Sequence, residues 1–157
     1  MEQWLRQIPV NIGYYLAGFV DGEGSFNLSL RKGDGYRYGW QLGLSFNVSQ
    51  RDETNLFLLK RYLGCGRLKT RRDGVHSFVV ENFNSLKGRV IPFFERFNFL
   101  SSRVKTNFSI FAKIVKLMDE KKHLTQDGVK EILELREKLN EGRGRKRKYN
   151  LEDVNLT

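Results

Sequence analysis

The hydrophobic period of the chain changes at Gly24, and that change limits the fold more than any other feature. Before it, Ile12, Tyr15, Leu16, Phe19 and Val20 fall at helical spacing, which predicts a helix over 11–23 with Asn11 as N-cap and Gly24 as its stop. After it, Phe26, Leu28 and Leu30 alternate with Ser25, Asn27, Ser29 and Arg31, the pattern of a strand with one dry and one polar face. Turn residues Lys32-Gly33-Asp34-Gly35 lead to a second alternating run, Leu42, Leu44, Phe46 and Val48 against Gln41, Gly43, Ser45, Asn47 and Ser49. The two runs read as a hairpin. The same order then recurs: a helix over 54–63 stopped by Gly64, and a shorter hairpin around Leu68, Asp73-Gly74 and 75–80. Helices are predicted over 85–97, 104–121 and 125–140, the last capped by Thr125.

Strands arriving in hairpins between helices predict an α+β fold: a four-stranded antiparallel sheet with helices on one face and additional helices at the C-terminal end. The helices must cover Phe26, Leu28, Leu44, Phe46 and Leu68. Without a low-complexity linker or a fixed-period repeat, the reading is a single domain over 1–141 followed by a short basic tail over 142–157.

The uncovered face is then polar, carrying Asn27, Ser29, Arg31, Gln41, Ser45, Asn47, Lys69 and Arg71, with Arg37, Arg67, Arg72 and Ser77 nearby in sequence. The acidic residues of this region, Asp34, Asp52, Glu53 and Asp73, sit at turns and helix starts instead. A cationic, amide-rich face suits duplex DNA, because Arg and Lys reach guanine N7 and O6, Asn and Gln pair with adenine, and a two-stranded ribbon fits the major groove. The whole chain agrees, with 28 Lys+Arg against 18 Asp+Glu and a net charge of +10. Arg143, Arg145 and Lys146 in the tail are candidates for clamping the phosphate backbone.

Other classes are excluded. With 39% hydrophobic and 13% aromatic residues the chain has ample material for a core. No apolar run approaches the ~18 residues of a membrane span, and the N-terminus lacks a secretory pattern. The expected location is therefore intracellular, in an organelle (chloroplast or mitochondrion) or prokaryotic cytoplasm. Cys65 is the single cysteine, so no intrachain disulfide exists, and with only His76 and His123 beside it there is no zinc cluster. Any metal must be held mainly by oxygen.

The chemistry concentrates in Leu16-Ala17-Gly18-Phe19-Val20-Asp21-Gly22-Glu23-Gly24. Ala17, Gly18, Asp21 and Gly22 strip one helix face of bulk, although each glycine costs ~1 kcal/mol relative to Ala, so close packing is expected there. Asp21 and Glu23 also stand at the negative end of the helix dipole, an unfavourable place unless a cation is bound. A hard divalent ion would take a carboxylate and an end-of-helix carbonyl.

This nonapeptide resembles the LAGLIDADG motif of homing endonucleases. Ser25-Phe26, Phe46-Asn47-Val48-Ser49-Gln50, Gly64-Cys65-Gly66 and Lys122-His123-Leu124-Thr125 extend the resemblance over 12–140. It implies an αββαββα core and a sequence-specific, Mg²⁺-dependent DNA endonuclease, with Ca²⁺ or Mn²⁺ able to substitute. Such an enzyme leaves short 3′ overhangs in a long pseudo-palindromic target and supports mobility of its host intron. By the same resemblance Glu23 and the Gly22 carbonyl hold the metal, Asp21 is structural, and Gln50 contacts the attacking water or scissile phosphate. A basic residue, Lys105 or else Arg103, completes the site, and Arg51 touches a phosphate. With one motif per chain and two DNA strands to cut, a homodimer is expected across Tyr14, Ala17, Gly18, Asp21 and Gly22. Two rivals on the same fold are an RNA maturase aiding intron splicing and a non-cleaving DNA-binding regulator.

Overall fold

The structure, a computed structural model, describes residues 1–140 and 147–154. A short helix α1 (Gln3–Arg6) leads to α2 (Val10–Glu23), β1 (Gly24–Lys32), β2 (Trp40–Gln50), α3 (Thr54–Leu63), β3 (Arg67–Thr70) and β4 (His76–Val80). Then follow α4 (Phe83–Ser85), α5 (Ile91–Arg96), α6 (Ser102–Asp119) and α7 (Gln126–Lys138). The strands make one antiparallel sheet in the order β1-β2-β4-β3, so the α+β class and the hairpins stand as expected. Two compact units are built from it, Met1–Ser25 with Ser45–Lys105, and Phe26–Leu44 with the chain from Thr106 on.

In the first unit the pleat sorts side chains by register. Val48, Phe78 and Leu68 are paired across β2, β4 and β3 and face inward, as do Phe46 and Val80, whereas Ser49, Ser77 and Lys69 form a polar row on the other side. The inward aromatics continue into α5: Phe46 meets Phe94 at 5.6 Å between ring centroids, and Phe94 stacks on Phe99 at 4.7 Å. Gly13 of α2 lies against Phe97, where a Cβ would stand 2.3 Å from the ring. Within the body of α2, the glycine that this core requires is thus Gly13, and not Gly18 or Gly22.

In the second unit Phe26 packs on Phe108 and Phe111 of α6, at 5.5 and 5.0 Å. Leu30, Val129 and Leu133 form a cluster with Tyr38, Trp40, Leu42, Tyr149, Leu151 and Val154. The outer edge of β1 is closed by side chains: Arg136 Nε donates to the Leu28 carbonyl (2.7 Å) and Asn140 Nδ2 to the Phe26 carbonyl (2.8 Å). Alternate carbonyls of an edge strand are thereby satisfied without another strand.

Several local expectations need correction. Pro9 occupies the N-cap of α2, and Asn11 lies inside its first turn. The predicted 85–97 helix begins earlier, because Asn82 accepts from Ser85 N (3.0 Å), and it is interrupted by a π-helical turn, Leu86–Val90. Pro92 lies in the first turn of α5 and has no N–H to continue the regular ladder, so a widened turn ahead of it follows. α6 starts at Ser102, two residues before the predicted Val104, and Lys121 in the left-handed region (φ 64°) follows its end. The first hairpin loop is longer than Lys32–Gly35 implies, because Tyr38 (φ 62°) and Gly39 (φ 73°) turn the chain back just before Trp40. Of the predicted tail, 147–154 is packed: Tyr149 lies edge-on to Trp40 at 4.9 Å, and its carbonyl accepts from Arg136 Nη1 (2.8 Å).

Candidate functional site

The end of α2 in the first unit brings the acids of the nonapeptide to the surface by two different routes. Asp21 is half-buried and its Oδ2 accepts the Ser101 N–H (3.1 Å) just ahead of α6. Ser101 Oγ in turn accepts from Val104 N (3.4 Å), so Asp21 sits at the positive end of α6 and the penalty expected from the α2 dipole is relieved there. Glu23 is exposed and has no hydrogen-bond or ion-pair partner among the described residues. Beside it, Gly22 is open, with nothing within 4 Å of the place a Cβ would take.

No group of three or more His, Cys, Asp or Glu among the described residues could hold a metal. The donors at this point are one free carboxylate, Glu23, and the adjacent backbone oxygen of Gly22. That set fits Mg²⁺, which retains several waters and takes one or two carboxylates together with substrate phosphates.

Arg103 and Lys105 are both exposed in the first turns of α6, a helix with no acidic residue in its first turn. Cations at a helix N-terminus are unfavourable by a few tenths of a kcal/mol or more, and an anion arriving there would reverse that sign. Gln50 ends β2, half-buried, with its Oε1 accepting from Arg51 N (3.1 Å). Its side-chain nitrogen is left as the group able to donate.

On the polar side of the sheet in the first unit, Asn47 Nδ2 donates to Ser45 Oγ (2.9 Å), and Ser49 and Ser77 share a hydrogen bond of 2.8 Å. Lys69 is exposed beside them, and Arg67 pairs with Glu81 at 2.9 Å, both partners about half exposed. Such a pair contributes little and exchanges readily for another anion. The tip of the second hairpin gathers cations. Asp73 Oδ1 accepts from Val75 N (3.1 Å), Arg71 pairs with the Asp73 carboxylate (2.6 Å), Arg51 Nη1 reaches the Asp73 carbonyl (3.0 Å), and Arg72 is exposed. The Val75 N–H, followed by Arg71 and Arg51, holds the Asp73 carboxyl below its ordinary range.

In the second unit Arg31 and Ser29 are exposed, and Ser29 Oγ donates to the Gly43 carbonyl (3.2 Å). Asn27 is half-buried and accepts from Asn140. Gln41 is half-buried at the wall of an apolar cavity of about 290 Å³, away from the fully exposed role expected of it. The backbone of Arg37 lies in the first hairpin loop, and its side chain lies outside the described residues, as do Arg143, Arg145 and Lys146.

The proposed contact face on α2 also divides. Ala17 is 2% exposed and packs inside its own chain, so its assignment to a partner contact is corrected. Tyr14 is 51% exposed, Gly18 and Gly22 are exposed, and a Cβ on either glycine would meet nothing within 4 Å. The close approach that these glycines permit is not made among the described residues. Sequence reasoning missed Ser101, Asp73, Asn107 and Asn140, whose roles depend on tertiary hydrogen bonds; only the turn pair Asp73-Gly74 signalled one of them.

A solvent-exposed acid closes a glycine-faced helix, ahead of a sheet with a basic polar side, in an α+β fold. The chain belongs to the LAGLIDADG endonuclease family, whose model matches residues 16–115. It is 35% identical over 132 residues to a probable intron-encoded endonuclease 2 of Neurospora crassa, covering 82% of this chain and 29% of that protein. The chain thus spans under a third of that relative's length. Among solved structures, it superposes on the homing endonuclease I-TnaI with a TM-score of 0.77 at 28% identity, covering 87% of this chain and 90% of that one. The I-SmaMI LAGLIDADG homing endonuclease bound to cleaved DNA superposes with a TM-score of 0.78 at 30% identity, over 84% of this chain and 45% of that one.

Proposed function

We propose that this chain is a sequence-specific homing endonuclease that makes a Mg²⁺-dependent double-strand break, leaving short 3′ overhangs in a long pseudo-palindromic target, and so supports mobility of its host intron. The observation that carries this reading is Glu23, an exposed carboxylate without a partner among the described residues, on the last residue of α2 in a member of an endonuclease family. The known homing endonucleases that it resembles include one whose structure holds cleaved DNA.

Glu23 and the Gly22 carbonyl are the groups that would hold the ion. When bound, Mg²⁺ supplies charge neutralisation on the phosphate and acidifies a water for in-line attack. The chain's own part is positional. Asp21 ties the end of α2 to the backbone ahead of α6, which carries Lys105 and Arg103. Lys105, with Arg103 as the alternative, offers positive charge to the leaving oxygen, and Gln50 offers an amide N–H to the water or scissile phosphate. Ser45, Asn47, Ser77, Lys69, Arg67, Arg31, Ser29 and Asn27 face the major groove, while Arg51, Arg71 and Arg72 meet phosphates from the hairpin tip. Tyr14, Gly18 and Gly22 of α2 provide a two-fold contact with a second copy, bringing a second Glu23 to the other strand.

The test is incubation with a plasmid library in Mg²⁺. The wild-type chain should linearise a small subset of plasmids and lose that activity on chelation. Glu23→Gln should select the same sequences without cutting, a rate loss of at least about a hundredfold. Wild-type protein that retains nucleic acid without cutting would favour the maturase or regulator readings, and full cutting by Glu23→Gln would overturn the assignment of Glu23.

A further inference from the structure

Glu81 stands on the polar side of the sheet in the first unit, where an acid is electrostatically out of place. The register pairs Val79 with both Asn47 and Arg67, so these three share the side opposite Leu68 and Phe78, one pleat along from the row of Ser49, Ser77 and Lys69. Glu81 follows Val79 by two residues, and its Oε2 accepts from Arg67 Nη2 at 2.9 Å. On a surface that meets phosphates, every carboxylate works against binding. Asp73 is accounted for by the second hairpin turn, since its Oδ1 accepts from Val75 N. Glu81 has no backbone donor among the described residues. Nor does it hold the fold together, because both partners are about half exposed and such a pair contributes little stability.

What Glu81 changes is the kind of partner that Arg67 can take. A guanidinium alone accepts any phosphate. With Glu81 beside it, an arriving phosphate must displace the carboxylate or lie next to it, and in either case two anions face each other. A base edge is neutral and joins the pair without that repulsion. The guanidinium carries five donors in a fixed fork, so one nitrogen can hold the carboxylate while others meet a base. The two charges side by side also match one base pair better than the rest. A G·C pair presents guanine N7 and O6, two acceptors for the guanidinium, next to the cytosine N4 donor, which a carboxylate accepts. A T·A pair offers thymine O4 beside a methyl group, and the guanidinium loses one of its two bonds there.

We propose that Glu81 is a specificity-determining residue that, together with Arg67, reads one G·C pair per half-site, Arg67 on the guanine and Glu81 on the cytosine, and that turns Arg67 away from sequence-independent phosphate contact. This rests on the DNA-binding reading above and adds to it the base pair selected at one contact.

The experiment compares full-length wild type, Glu81→Ala and Arg67→Ala in selection from a randomised duplex pool and in titration of a random-sequence duplex at several salt concentrations. The wild type should favour G·C at least about tenfold at one position per half-site. Glu81→Ala should flatten that position to within about threefold, and Arg67→Ala should lose the preference for guanine at the same position, with other positions unchanged. The two variants should separate on the random duplex. Glu81→Ala should bind it more tightly than wild type, with a salt slope steeper by about one phosphate contact, whereas Arg67→Ala should bind it no more tightly. If Glu81→Ala does not fold, Glu81→Gln, of the same shape without the charge, carries the random-duplex comparison. A G·C preference kept by Glu81→Ala, changes at different positions in the two variants, or random-duplex binding unaltered by loss of the Glu81 charge would overturn the joint reading while leaving DNA recognition standing. A wild type without sequence selection would overturn the DNA reading, and this inference with it.

Discussion

Asp21 and Glu23 are two acids at one helix terminus whose surroundings give them different work. Asp21 is satisfied by the backbone at the start of α6, and Glu23 faces solvent without a hydrogen-bond or ion-pair partner among the described residues. The nonapeptide made both acids visible in the sequence, but only the tertiary contact separates their roles. His123 shows the same limit. Its Nδ1 is buried without a hydrogen-bond partner among the described residues, and burial, reinforced by nearby Lys121 and only partly opposed by the Met118 carbonyl, pulls its pKa below the ordinary 6.5. A histidine with a lowered folded pKa is neutral in both states at high pH. As pH falls below 6.5 the unfolded chain takes up the proton first, so stability is lost on the acid side. The denaturation midpoint should drop between about pH 7.5 and about pH 5.5, and His123→Leu should drop less. Equal slopes for both proteins would show that His123 contributes nothing to the change.

At the scale of elements, the edge of β1 is the least expected construction. Arg136 is 5% exposed and gives hydrogen bonds to the carbonyls of Leu28 and Tyr149, residues 108 and 13 positions away in sequence. Replacing it by Leu leaves both carbonyls short of a donor, at roughly 1–3 kcal/mol for the buried Leu28 group and less for the part-buried Tyr149 one. Arg136→Leu should therefore unfold at clearly lower denaturant and associate through the uncovered strand edge. Unchanged stability and a monodisperse sample would contradict the edge-cap account. The strands themselves were legible to within a residue or two, because period-2 alternation in Phe26–Leu30 and Leu42–Val48 records burial directly. The π-helical turn before Pro92, the loop carrying Tyr38 in a left-handed conformation and the packing of Tyr149 on Trp40 were not. Each is settled by a long-range contact or by backbone strain that local pattern does not encode. The polar face was read correctly as polar, yet Asn27, Ser29 and Gln41 turned out to be engaged or half-buried within the chain.

For the whole molecule the proposed double-strand cleavage raises the question of where a second carboxylate would come from. One chain has one Glu23, and the glycine face of α2 is left open at Gly18 and Gly22 while Gly13 serves the core. In the proposed reading a second copy occupies that opening, two helices with glycines in register approaching closely so that each lends its acid to one DNA strand. Mixing wild-type chain with Glu23→Gln on a plasmid bearing the selected target tests this most directly. Hybrid dimers hold one competent acid, so nicked circles should accumulate in proportion to the hybrid fraction, and sedimentation should find two chains on each full-length target. Linear and uncut plasmid alone, with one chain bound per target, would contradict the shared two-fold site.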